Sequence, residues 1–258
     1  LFIKKNINNI KSDKVFSEVD YVFHFAGKGD IVPSIEKPQE YFAQNVSATL
    51  KLLSLLNPKK IKKFVYAASS SCYGLAKTPT DENHKIDPLY PYALTKYQGE
   101  QLVLHWCKVY NLRVNSIRIF NAYGPRVKTT GAYGAVFGVF FKQILENKPL
   151  TIVGDGSQKR DFLYVLDLVN AFYAVAIKKN NIGEIYNLGS GNPKSINKLA
   201  SLIGAKKKVY LPFRPGEPRV THANIDKIVS DVNWKPKIKF EIGVQLMLNN
   251  IKYWKNAP

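Results

Sequence analysis

Residues 64 to 74 read "FVYAASSSCYG", an apolar run of strand length that ends in three consecutive serines, Ser69 to Ser71. Runs of the same strand character recur at "YVFHFA" (21 to 26), "VNSIRIF" (114 to 120) and "IYNL" (185 to 188). Between them lie segments of helical period. One is "YFAQNVSATLKLLSLL" (41 to 56), and another follows Pro91, where Leu102, Val103, Trp106, Val109 and Tyr110 recur at helical spacing. Alternating strand and helix predicts an α/β fold with a doubly wound parallel sheet. Ligands of such sheets sit beyond the carboxyl ends of the strands. His24 to Gly27, Ser69 to Ser71 and Phe120 to Arg126 should therefore converge on one crevice.

At 258 residues and 45% hydrophobic content, the chain can bury a full core as one large domain or two intimately joined ones. The N-terminal "LFIKKNINNIKSDK" has no secretory character, and no stretch approaches the length of a membrane span. Cys72 and Cys107 have no metal-type spacing with each other or with His24, His84, His105 and His222, so no metal is expected. These features predict a reduced cytoplasmic protein without membrane partners. The net charge of +19 invites a nucleic-acid reading. The lysines are scattered among Asn and Ile, however, and pairs such as Lys62-Lys63 and Lys178-Lys179 fall where solvated helix ends are expected. No nucleic-acid partner is expected, although a positive field can help to capture a small anionic substrate.

Pro91 suits the first turn of a helix, so Tyr92 and Lys96, four residues apart, share one face beside the crevice. A phenol with a pKa of about 10 is a poor base near neutrality, and an adjacent ammonium favours its ionised form. Bringing it near 7 takes about three units, or roughly 4 kcal/mol of differential stabilisation. Such a pair makes a base for alcohol oxidation.

Taken with "VFHFAG" (22 to 27), the helix from Pro38 to Leu53, "AASSSCYG" (67 to 74), "YALTK" (92 to 96), "RIFNAYGPR" (118 to 126), "VGDGSQKRDFLYVLDL" (153 to 168), "YNLGSG" (186 to 191), "RPGE" (214 to 217) and "NWKPK" (233 to 237), the chain resembles the NAD-dependent epimerase/dehydratase family of extended short-chain dehydrogenase/reductases. The likeness covers nearly the whole chain, in the family's order. It implies a nucleotide-sugar 4-epimerase that oxidises the sugar 4-hydroxyl with NAD and returns hydride to the opposite face of a 4-keto intermediate. It makes Tyr92 the base, Lys96 its electrostatic partner and ribose ligand, and Ser69 the hydroxyl that bonds the reacting oxygen. His24, Phe25, Ala26, Gly27 and Phe120 would line the dinucleotide, with Asn6 near its adenine. Ser70, Ser71, Asn121, Arg160, Arg214, Glu217 and Thr221 would meet a UDP-hexose or UDP-N-acetylhexosamine. Thr221, being small, would leave room beside the sugar C2 substituent. Asn45 is read as bracing a neighbouring loop. The likeness also implies a homodimer built on the Asn45 and Tyr92 helices.

Dehydratases of the family carry an acidic pair directly after the catalytic hydroxyl residue, where this chain has Ser70 and Ser71, so epimerisation is favoured. A dehydratase, decarboxylase or reductase, or a catalytically silent sugar-nucleotide-binding protein, are the alternative readings. The family's G-x-x-G-x-x-G turn is not found in the sequence, which begins with Leu. "FIKKNI" (2 to 7) is accordingly expected to be the family's third strand, ending at Asn6, with on the order of 50 to 60 residues belonging upstream. Without them the chain is expected to bind NAD much more weakly than a version extended at its N-terminus. The expected division is a dinucleotide-binding part, 1–126, to which 160–191 returns, and a smaller substrate domain, 127–258.

Overall fold

Side chains alternate across a strand, and the Lys63–Ser69 strand is buried at all seven positions, so it must be covered on both faces. The computed structural model, which describes residues 2–11, 14–127, 136–204, 206–213 and 216–251, supplies both covers. Phe64, Tyr66 and Ala68 point into a cluster with Leu52, Leu53, Val103 and Leu112. Val65 and Ala67 point the other way, into Leu168, Ala171, Phe172 and Val175. One layer thus comes from Pro38–Phe42, its π-helical continuation Ala43–Ser47, Ala48–Leu55 and the long helix Pro91–Tyr110. The opposite layer is Val165–Ile177.

The sheet is parallel, in the spatial order Tyr21–His24, Lys63–Ser69, Val114–Ile119, Ile185–Leu188. All four expected strands are present. A third cluster, built on Tyr123, Phe137, Phe140, Phe141, Phe162 and Phe240, gathers beyond the sheet's carboxyl end. Beside it, Leu150–Val153 pairs in parallel with Lys208–Leu211. No helix among the described residues is long and apolar enough to cross a membrane.

One expected strand is not formed. Residues 2–6 have no strand structure and lead into a 3-10 turn, Ile7–Asn9, in which Asn8 N–H donates to the Asn6 side chain. Asn8 then ties this turn to the Ala43 carbonyl. The physical reason is pairing. A strand needs a neighbour for its ladder, and no described strand lies along the outer edge of Tyr21–His24.

The Pro91 helix lies unusually close to the sheet because Gly99 faces Tyr66, where a Cβ would come within 2.2 Å of the phenol oxygen. One turn from Lys96, Glu100 is 1% exposed and receives Arg118 from the middle of the Val114–Ile119 strand. Arg118 donates from Nη2 to Oε1 at 2.6 Å and from Nε to Oε2 at 3.1 Å, and Ser116 adds a third donor at 2.8 Å. Removing one partner of such a buried pair leaves an uncompensated charge, at a cost of about 3–5 kcal/mol. Glu100→Ala is therefore expected to lose stability of that order in urea denaturation. Joint replacement, Glu100→Leu with Arg118→Met, should recover most of it, and a single variant as stable as the parent would show that the pair does not hold the helix.

Candidate active site

The Lys63 strand ends at Ser69, whose extended backbone caps the 3-10 turn Ser70–Tyr73. Ser69 Oγ accepts from Ser71 N at 3.2 Å and lies 2.6 Å from Ser71 Oγ. Both hydroxyls stand beside the Tyr92 phenol. Burial pushes this phenol above its ordinary range, while Ser69 and then Ser71 pull it back, and Asp30 opposes its ionisation. Tyr92 is fixed from three sides. Pro91 occupies the first turn of its helix, its own N–H donates to Ser34 Oγ at 3.0 Å, and its ring stacks with Tyr90 at 6.4 Å between centroids.

Lys96 is 7% exposed, with its ammonium 4.5 Å from the centre of the Tyr66 ring. Burial lowers its pKa to about 8 although Glu100, one turn on, favours the charge. The ammonium also approaches the Gly27 turn. A Cβ there would stand 4.0 Å from Lys96 Nζ and 2.6 Å from Asn45 Oδ1, so only glycine lets these groups close up. Asn45 accepts from Lys28 N and donates to Lys28 O and Thr95 Oγ1, which is the loop brace expected of it.

The residues around the strand ends divide into those that face the crevice and those that do not. His24 is 2% exposed, hydrogen-bonds Thr49 Oγ1 at 2.9 Å and packs against Phe64 and Tyr66. Burial, reinforced by the Lys96 charge, lowers its pKa to about 3, so it is a neutral core histidine that can offer a ligand only its backbone. Phe25 lies against Phe172 on the opposite side of the sheet, and half of it remains exposed. Phe120 packs near Tyr73. Asn6 is exposed and uses its side chain on its own turn.

On the substrate side, Arg160 Nη2 meets Glu217 Oε1 at 2.6 Å, and Nη1 donates to the Lys159 and Pro218 carbonyls. The two residues expected to meet substrate are thus paired with each other. Thr221 donates to Asn121 Oδ1 at 2.8 Å and accepts from Asp161 N, so its hydroxyl orients the Asn121 amide. Arg214 lies outside the described residues.

Two residues that sequence reading passed over hold this side together. Ser34 positions the Tyr92 turn. Asp161, fully buried, accepts from Ser190 N and Oγ, Gly191 N and Ala223 N, which joins the Arg160 segment to the loop after Leu188 and to the chain after Thr221. A carboxylate inside "KRDFLY" was the available signal, since a charge in an apolar run has to find donors.

The family model described as NAD dependent epimerase/dehydratase family matches residues 2–189. A UDP-glucuronate 4-epimerase of Thermodesulfobacterium geofontis (strain OPF15) is 37% identical over 258 residues, 96% of this chain and 78% of that protein. Among solved structures, the UDP-glucuronic acid 4-epimerase of Bacillus cereus in complex with UDP-glucuronic acid and NAD matches with a TM-score of 0.90 at 34% identity, over 98% of this chain and 81% of that one. The UDP-N-acetylglucosamine 4-epimerase of Methanobrevibacter ruminantium M1, in complex with UDP-N-acetylmuramic acid, matches with a TM-score of 0.88 at 30% identity, over 96% and 83%.

Because burial dominates the Tyr92 environment and holds the phenol above its ordinary range, it is expected to stay protonated near neutrality when no nucleotide is present. The wild-type absorbance titration at 295 nm, minus that of Tyr92→Phe, should be flat from pH 6 to 9. A transition near 7 in that difference would mean that the protein alone already activates the base.

Proposed function

The chain belongs to the NAD dependent epimerase/dehydratase family, and from that we propose a nucleotide-sugar 4-epimerase in which Tyr92 is the base at the sugar 4-hydroxyl. The observation that carries this assignment is the Tyr92 phenol beside Ser69 and Ser71 at the end of the central strand, with Lys96 one turn along the same helix. Ser69 has its oxygen where a substrate hydroxyl can join the existing pair, so it bonds the reacting oxygen and aligns it with the phenol. Tyr92 accepts the 4-hydroxyl proton as C4 is oxidised and returns it when the 4-keto sugar is reduced on its other face. Ser70 and Ser71 carry no carboxylate with which to remove a C5 proton, which favours epimerisation over dehydration.

The residues present fit the nicotinamide ribose of NAD. Lys96 is a buried cation beside the close-packed Gly27 turn, and a ribose diol can accept from it. Ala26, Phe120 and the backbone of His24 and Phe25 are the groups offered to the rest of the nicotinamide half. NAD, when bound, supplies the hydride acceptor that makes the cycle redox-neutral. Lys96 holds positive charge near the phenol, and at pH 7 a group titrating near 8 is still mostly charged.

Arg160 and Asn121 hold the diphosphate of a UDP-linked hexose or N-acetylhexosamine in this reading, with Arg214 as a further ligand from the sequence. The planar guanidinium suits phosphate oxygens and exchanges its bond to Glu217 for them, which frees Glu217 for the nucleoside ribose. Thr221 keeps Asn121 in place and leaves space beside the sugar. The residues 127–258 form the substrate domain and 1–126 the dinucleotide-binding domain. The helix Val165–Ile177 and strand Ile185–Leu188, within 160–191, return to the latter's sheet.

Tyr92→Phe is expected to lower kcat by about 10²–10⁴-fold with UDP-sugar binding kept, and Ser69→Ala to cost less. Thr221→Val, which keeps the volume and removes the hydroxyl, should mainly raise KM. Steady-state kinetics with UDP-glucose, UDP-glucuronate and UDP-N-acetylglucosamine, alongside calorimetric binding, test these assignments. Near-normal turnover by Tyr92→Phe would remove Tyr92 as the base.

The homodimer is proposed through the two adjoining helices that carry Asn45 and Tyr92. Leu50, Leu94, Val109 and Tyr110 remain 43–51% exposed on them, which a second copy would cover. Light scattering is expected to give twice the chain mass, and Leu50→Glu with Val109→Glu to give the monomer. A parent of monomeric mass counts against the assignment.

A further inference from the structure

The amino-terminal edge of the sheet, opposite the active site, holds a groove of about 720 Å³. Five of its ten lining residues are cationic: Lys62, Lys63, Arg113, Lys178 and Lys179. They come from the starts of two adjacent strands and from the end of the Val165–Ile177 helix, so the parallel topology itself gathers them. No carboxylate lines the groove among its described residues, and Asp20, outside the lining, pairs with Lys62 at 3.1 Å. Three helices, Ala48–Leu55, Pro91–Tyr110 and Val165–Ile177, end at this edge, each bringing about half a negative charge, which cannot cancel five cations.

Lys63 makes this more than a solvated basic face. It is 2% exposed, and its ammonium is held by the carbonyl and the side-chain oxygen of Asn181, both at 2.7 Å. Those two acceptors leave one of the three N–H groups for another partner. Burial and then the Arg113 charge lower the Lys63 pKa to about 8, so the groove brings together like charges that a bound anion would relieve. The rim also offers the half-exposed faces of Tyr21, Ile177 and Ile182.

We propose that this groove binds a di- or triphosphate group, at a site separate from the nucleotide-sugar crevice. The two sites sit at opposite ends of the Lys63–Ser69 strand, about 20 Å apart at strand rise. Five lining cations, of which only Lys62 has a carboxylate partner among the described residues, in Asp20, match the charge density of a polyphosphate better than that of a single carboxylate or monophosphate. The phosphate can be free or carried by a nucleotide, with Tyr21 as the surface on which a base would lie.

Calorimetric titration of the whole chain with sodium tripolyphosphate tests the assignment, at low and at 0.5 M salt, with and without saturating UDP. One site is expected, unaffected by UDP and at least tenfold weaker at high salt. Arg113→Ala with Lys178→Ala and Lys179→Ala changes only exposed side chains, checked by an unchanged circular dichroism spectrum, and should weaken binding at least tenfold. A parallel titration with ATP separates the sources. Equal affinity means that the phosphates alone are read, whereas a tenfold gain that disappears in Tyr21→Ala means that a nucleotide is. Displacement of tripolyphosphate by UDP, undiminished binding by the triple variant, or no binding at low salt would overturn the proposal.

Discussion

Arg118 and Glu100 form the contact from which the rest of the site is suspended. Each charge would cost several kcal/mol to bury alone, so both must be satisfied almost completely for the sheet and helix to meet. Glu100 receives Arg118 twice and Ser116 once. The remaining guanidinium nitrogen donates to the Tyr73 hydroxyl at 2.8 Å and to the Glu82 carbonyl at 3.2 Å. Tyr73 in turn donates to Asn187 Oδ1, and Asn187 donates from its side-chain amide to the Thr80 carbonyl and from its backbone N–H to Glu82 Oε1. One ion pair therefore fixes the helix of Tyr92 and Lys96, the far end of the serine turn, the long loop after it and the last strand of the sheet.

The same economy of connection recurs on a smaller scale. Asn45 links the turn after the first strand to Thr95, one residue from Lys96. Asp161 links three backbone segments around Arg160. In each case a buried polar side chain spans elements that are distant in sequence, and its geometry is fixed because an unmet donor or acceptor would be costly. Catalytic side chains such as Tyr92 and Ser69 thereby rest on rigid supports although several stand at chain turns.

Much of this was legible in the sequence. Strand-length apolar runs alternating with helical periods gave all four sheet strands, and Pro91 marked the start of the long helix. The rule that ligands meet strands at their carboxyl ends pointed to Ser69 to Ser71, the Pro91 helix start put Tyr92 and Lys96 on one face beside them, and the family resemblance joined the two sets. Side-chain direction was less readable. His24 stands on the strand that borders the crevice, yet strand alternation turns its ring into the core, which no run of letters around "FHFAG" announces. "FIKKNI" had the composition of a strand, but pairing is a property of neighbours, and no described strand adjoins it. Arg118 inside "VNSIRIF" and Glu100 four residues after Lys96 were passed over in the sequence, although each is a charge in an otherwise buried segment. Their mutual pairing needed the crossing of helix and sheet to become apparent.

Parallel pairing also sets the order in which the chain can assemble. Each strand of the sheet pairs with one more than forty residues away, Tyr21 with Lys63 and Ser116 with Ile185 among them. Closing loops of that length comes before any ladder repays it, so the sheet forms slowly compared with its helices. Arg118 and Glu100 can meet only once the Pro91 helix is seated through Gly99, and until then both charges are better left in water. A bond that forms only after that seating acts as a latch on the finished structure, governing how fast the chain comes apart far more than how fast it comes together.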